Sequence, residues 1–188
     1  MAKRLNAGFT LIELIVTMSV AAILIATGVP SFRNMILNGR QSATYNALVS
    51  ELSYARSEAV KRSTSVALCA RASDSSCASG DDWSDGWLVF VDEDNNGSVN
   101  GTEEILRVNG ELEDEQSLLS NNFTNTGFVR YRSRGNTDSI GYFVICDDRG
   151  AESAKAVNIV LTGAIRKAVD TNSNDIVENM AGQDVSCP

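Results

Sequence analysis

The 188 residues are 43% apolar, carry a net charge of −8, and include four cysteines but no histidine. That length allows one membrane helix and one small domain. The missing histidine removes Ser/His and Cys/His nucleophile pairs and the usual general base. No Walker-type or Rossmann glycine pattern is present, and Glu111, Glu113, Asp114 and Glu115 read as a solvated acidic face rather than a glycosidase pair, so catalysis is not expected.

In chain order, Lys3 and Arg4 precede Gly8-Phe9-Thr10-Leu11-Ile12-Glu13, and an apolar run continues to Pro30. At 1.5 Å per helical residue this run gives roughly 33 Å, enough to cross a hydrocarbon core. A buried carboxylate there costs on the order of 2.5 to 3.5 kcal/mol at mid-bilayer and less near the end, which marks Glu13 as a functional residue. The run is too long for a cleaved secretory signal, and no small-residue cleavage site follows it. Lys3 and Arg4 keep the leader in the cytoplasm and send the remainder across the membrane.

These residues closely resemble a type IV pilin leader: a short basic peptide ending in Gly8, then Phe9, then Thr10 to Leu14. The resemblance implies cleavage after Gly8 by a prepilin peptidase and N-methylation of Phe9. Cleavage would expose a cationic amine on Phe9, and the Glu13 carboxylate one helical turn away can neutralise it. In the family, that carboxylate is thought to meet the amine of a neighbouring subunit and so set axial register. Both the intrachain and the interchain pair are open.

Gly28 and Pro30 should loosen or kink the helix. Beyond them Tyr45, Leu48, Leu52, Ala55 and Ala59 recur at steps of three and four, one face of an amphipathic helix, with Ser50, Ser53, Arg56 and Lys61 between them. The string Tyr54-Ala55-Arg56-Ser57-Glu58-Ala59-Val60 resembles the end of the long helix in the GspH/FimT family of minor pilins and pseudopilins.

After Lys61 the period changes. Segments 63–70, 87–92, 104–108, 127–132, 140–146, 156–161 and 164–169 read as short strands separated by Gly, Asn, Asp and Ser clusters. One long helix followed by strands predicts an α+β fold, with the helix covering an antiparallel sheet. The expected organisation is a leader at 1–8, a membrane or filament-core helix at 9–30, its amphipathic continuation at 31–62 and a β-rich domain at 63–188. Asp85 to Asp92 and the Cys146 strand extend the GspH-like resemblance over most of the chain.

Cys69, Cys77, Cys146 and Cys187 all lie in the part expected to be translocated, where an even count reads as two disulfides with three connectivities open. The pairing expected is Cys69 with Cys77, closing a short Ser/Asp-rich loop, and Cys146 with Cys187, tying down the last residues. The segment Asp92 to Glu103 meets the EF-hand loop formula at Asp92, Asp94, Asn96, Gly97 and Glu103, with Ser98 able to offer a carbonyl and Asn100 an amide oxygen. Its flanks read as strands, however, and Asn and Gly also suit a long hairpin turn. The expectation is a metal-free hairpin, with calcium as the alternative and no other cofactor.

Arg130, Arg132 and Arg134 alternate along a predicted strand and would share one face, while Arg166 and Lys167 lie on another. Such stripes can contact phosphates. Some members of the family bind DNA through a late Gly-Arg-x-Arg motif. Here Gly163-Ala164-Ile165-Arg166 keeps the glycine and the last arginine but has Ala164 where the first would be, on an acidic chain.

The resemblance thus implies a minor pilin of the inner membrane, single-pass with a periplasmic domain, that enters an extracellular pilus fibre with other minor pilins and the major pilin. It would act at the pilus tip or in assembly initiation. The alternatives are an H-type pseudopilin of type II secretion and a DNA-binding minor pilin for natural transformation.

Overall fold

The computed structural model describes residues 9–188 apart from 102, 114, 125 and 126. The chain divides into two units, Met1–Gly39 and Arg40–Pro188. One helix, α1 (Leu11–Arg62), starts in the first and ends in the second. It opens at Thr10, whose hydroxyl accepts the Glu13 amide at 3.2 Å, the side-chain half of a Thr-x-x-Glu cap. In the first unit every residue from Phe9 to Ile36 is exposed, although most are apolar. Hydroxyls within the apolar stretch are satisfied by the helix itself: Thr17 donates to the Leu14 carbonyl at 3.0 Å and Ser19 to the Ile15 carbonyl at 2.8 Å, which suits a dry environment. The helix continues past Pro30, where a loosening or kink is expected, with the loss of a single backbone donor.

Among the described residues the second unit carries nine strands: β1 (Val66–Ser73), β2 (Ser76–Cys77), β3 (Trp87–Val91), β4 (Ile105–Asn109), β5 (Ser117–Asn121), β6 (Phe128–Tyr131), β7 (Gly141–Cys146), β8 (Lys155–Ile159) and β9 (Ile165–Lys167). All pair antiparallel. The first sheet runs β2-β1-β3-β4, with β6 also on β1, and the second runs β5-β7-β8-β9. The expected single sheet is therefore two. They are joined where Trp83 donates to the Leu118 carbonyl at 2.8 Å and Ser120 to that of Asp81 at 2.8 Å.

Leu48, Leu52, Ala55 and Ala59 of α1 are completely buried against inward side chains of both sheets, among them Val89, Tyr131, Phe143 and Val157. The helical spacing predicted this face. Trp83 meets Phe143 edge-on at 4.7 Å, filling the seam between the sheets. Each sheet also has a covered outer face. Leu88 and Phe90 pack with Val99 of the following loop and with Ile105 on the neighbouring strand, and Val144, Ala156 and Ala168 pack with Val185 of the C-terminal tail. Burial on both faces explains why Trp87 to Val91 reads as an unbroken apolar run.

Two strands escape the sequence reading. In β5, Ser117-Leu118-Leu119-Ser120-Asn121, serine and asparagine give a turn-like composition, and pairing with β7 on one side and with residues 81–83 on the other orders it. The two residues of β2 are held by a bulged pairing with β1. The strand expected at 127–132 ends at Tyr131, so Arg132 and Arg134 do not extend it. Both expected disulfides are formed, Cys69–Cys77 and Cys146–Cys187.

Candidate functional site

The start of α1 combines features that water does not stabilise. Phe9 is 82% exposed, and apolar side chains surround the helix on all sides up to Val29. A helix apolar all round is expected only within lipid or within a bundle of like helices. Its one acidic residue, Glu13, stands in the first turn, where the helix dipole favours a carboxylate. Any amine created at Phe9 would lie within a turn of it. Gly8, the other half of the expected cleavage bond, lies outside the described residues.

The loop from Asp92 to Glu104 connects β3 to β4 as a hairpin, as the turn chemistry predicted. Asp92, Asp94 and Glu103 each place a carboxylate oxygen within 4.8 Å of the others. These oxygens are engaged by the loop's own donors. Asp94 accepts from the Asn96 amide at 3.1 Å and from the Asn100 side chain at 3.0 Å; this last hydrogen bond leads in lowering the Asp94 pKa. Glu103 accepts from the Glu93 and Asn100 amides at 2.9 and 3.0 Å, and the Asn96 side chain accepts from Ser98 at 2.7 Å. Asp92 is completely buried, takes the Gly97 amide at 3.2 Å and faces the Arg130 guanidinium at 3.2 Å. The donor set has the oxygen chemistry of a calcium loop, but it closes as a hydrogen-bonded turn with a cation from β6 already at its base.

The five basic residues do not form one surface. Arg130, with a side chain only 11% exposed, joins Asp92, Asp138 and the Asn95 carbonyl, and Arg132 joins Asp138 as well. The expectation that Arg130, Arg132 and Arg134 share one face of a strand does not hold, because β6 ends at Tyr131. Arg130 is an internal cation, Arg132 is held by a carboxylate, and Arg134 stands in the turn that closes when Gly135 donates to the Arg132 carbonyl at 2.7 Å. Arg166 and Lys167 do lie on β9 and are exposed. In Gly163-Ala164-Ile165-Arg166 the glycine has a steric purpose: at φ +75° its Cα passes so close to Gly135 that a Cβ would come within 2.0 Å of that carbonyl oxygen. The same Gly135 oxygen accepts Arg56 Nε at 2.9 Å.

Buried polar residues on the inner face of α1 were not foreseen. Glu51 receives Arg107 at 3.0 Å while that guanidinium stacks 3.7 Å above the Tyr54 ring. Glu58 accepts from Arg62 at 2.7 Å and from Lys61 at 3.1 Å, and these hydrogen bonds, Arg62's foremost, lower its pKa.

Comparison with known proteins yields two family matches. The model described as type II transport protein GspH matches residues 44–164, and the prokaryotic N-terminal methylation motif matches residues 3–29. Two crystal structures of the Pseudomonas aeruginosa (strain PAO1) type IV minor pilin FimU share the fold. The P65 form is 19% identical with a TM-score of 0.53, covering 68% of this chain and 92% of that one. The P21 form is 20% identical with a TM-score of 0.55, covering 70% and 90%. Among curated proteins, none matches the chain.

Proposed function

Because the chain belongs to the GspH family, we propose that it is a minor pilin, held in the inner membrane by α1 and then drawn into a type IV pilus. The observation that carries this reading is an apolar helix start, exposed on every side and matching the N-terminal methylation motif, on a disulfide-closed β domain.

In this reading a prepilin peptidase cuts between Gly8 and Phe9 and the new amine is methylated. The helix leaves lipid for the apolar core of the fibre, exchanging one non-aqueous environment for another. Glu13 meets the Phe9 amine of its own or an adjacent subunit, and the desolvated pair fixes the axial register. The domain, periplasmic before assembly and extracellular after it, faces other minor pilins and the major pilin, at the tip or in the complex that starts assembly.

The test is complementation of a deletion strain with wild-type chain and with Glu13→Val. Pilus number should fall on deletion, recover with wild type and fail to recover with the variant, although the variant still reaches the membrane. Normal piliation in the deletion strain would reject the reading. A second reading, a pseudopilin of type II secretion, is favoured by the description of the matching family, and it requires instead that the deletion block export of secreted enzymes while pili remain.

A further inference from the structure

On the outer face of the second sheet, strand register aligns Asn121, Tyr142, Asn158 and Arg166, one from each strand. The neighbouring row, including Val144 and Ala156, is covered by the tail through Val185. Asn158 is different. It is only 4% exposed, and its buried Oδ1 has no hydrogen-bond partner. A buried amide oxygen without a donor is unfavourable unless a ligand or water supplies one. Asn158 stands between two recesses, one of about 290 Å³ toward Arg166, Lys167 and Val169, the other of about 80 Å³ toward Ile140 and Tyr142. Met180 lines both.

Two further observations concern the same place. Ile140, Val169 and Met180 on its rim are 47%, 55% and 46% exposed. The side chain of Arg166, unlike those of Arg56, Arg107 and Arg130, has no hydrogen bond or ion pair among the described residues, whereas Lys167 pairs with Val157 and so faces the other side of the sheet. Glu178, also in the larger recess, is already engaged, accepting both the amide and the hydroxyl of Thr171 at 2.8 Å. A water molecule would satisfy Asn158 alone and leave the apolar rim and the Arg166 cation unaccounted for.

We propose that this groove docks an extended, acidic segment of a partner polypeptide. A peptide group offers an N–H to Asn158 Oδ1 and a carbonyl to the same side-chain amide, as a neighbouring strand would. An apolar residue of the segment covers Met180 and Ile140, and an Asp or Glu meets Arg166. On a chain of net charge −8, the unpaired Arg166 guanidinium selects an acidic partner over a basic one.

The experiment uses the full chain in detergent micelles, panned against a random linear peptide library, with short duplex DNA as a competitor. It needs no fibre, so its failure is separate from failure of the pilus reading. Enriched peptides should carry Asp or Glu beside an apolar residue. Synthetic copies should bind at least about ten-fold more weakly to Arg166→Glu and to Asn158→Leu, and equally well to Arg134→Glu. Arg166 is exposed, so its variant should melt like wild type and isolates the binding effect. No enrichment, enrichment of non-acidic peptides, or binding indifferent to Arg166→Glu would overturn the proposal. Displacement of the peptides by DNA at physiological salt would overturn it in favour of a phosphate ligand.

Discussion

Replacing Arg130 with Leu separates an internal cation from a surface one. Arg130 lies on β6 with its guanidinium against Asp92, which is completely buried, and against Asp138, which is partly covered. Removing it leaves the buried Asp92 carboxylate without its cation and with the Gly97 amide, 3.2 Å away, as a hydrogen-bond donor. Breaking a buried pair from one side costs about 3 to 5 kcal/mol. For a domain the size of Arg40–Pro188, each kcal/mol lowers Tm by roughly 2 to 4 °C, so a fall of roughly 6 to 20 °C is expected. Adding Asp92→Asn removes the stranded charge while retaining an oxygen for Gly97, and should recover a large part of the loss. The assay is thermal unfolding of the full chain in detergent, followed by near-ultraviolet circular dichroism, for wild type, both single variants and the double. A fall below about 2 °C in Arg130→Leu, or no recovery in the double variant, would refute the reasoning and return Arg130 to the set of side chains available to a ligand.

Four further outcomes are expected. Chain recovered from fibres should lack residues 1–8 and carry one added methyl on Phe9 by intact-mass measurement, and retention of Met1 would contradict the processing model. Closed-loop entropy gives about 4 kcal/mol for Cys146–Cys187, with a separation of 41, and about 2.5 kcal/mol for Cys69–Cys77, with a separation of 8. Alanine replacement of the first pair should therefore lower Tm further than replacement of the second, and the reverse order would oppose the entropic account. Burial pushes the Asp138 pKa up, but hydrogen bonds from Arg132 and Arg130 outweigh it and hold the value below 3.8. Its stabilising contribution is thus complete above the ordinary aspartate pKa and lost as pH falls through the lowered one, so acid unfolding below pH 3.8 should be steeper in wild type than in Asp138→Asn. Chelator should leave Tm unchanged because the Asp92 to Glu104 turn is closed by its own amides, whereas a saturable rise with added calcium would establish a metal loop.

What the sequence discloses depends on the range of the interaction. The buried stripe Leu48, Leu52, Ala55 and Ala59 is legible because helical periodicity is local, and β3 because two-sided burial writes a continuous apolar run. Gln41, Thr44, Glu51 and Glu58 lie on that helix's buried side too, but a polar residue signals exposure until its partner is known. For Glu51 the partner is Arg107, 56 residues away. Arg130 is the same case: alternation with Arg132 and Arg134 suggests a stripe, and only the approach of Asp92 and Asp138 turns the first of the three inward. The orphaned amide of Asn158 has no sequence signal, since it depends on which row the C-terminal tail covers.

The Cys146–Cys187 bond has a consequence for proteolysis. The loop it closes contains β8, β9 and the exposed turn at 170–175, a tip of the kind that proteases cut first. A cut there would not release the tail, because the bond anchors its far end to β7 at the centre of the second sheet and the β7–β8–β9 ladder holds the near end. The nicked domain would migrate at full mass until reduced and would keep the cover over Val144 and Ala156.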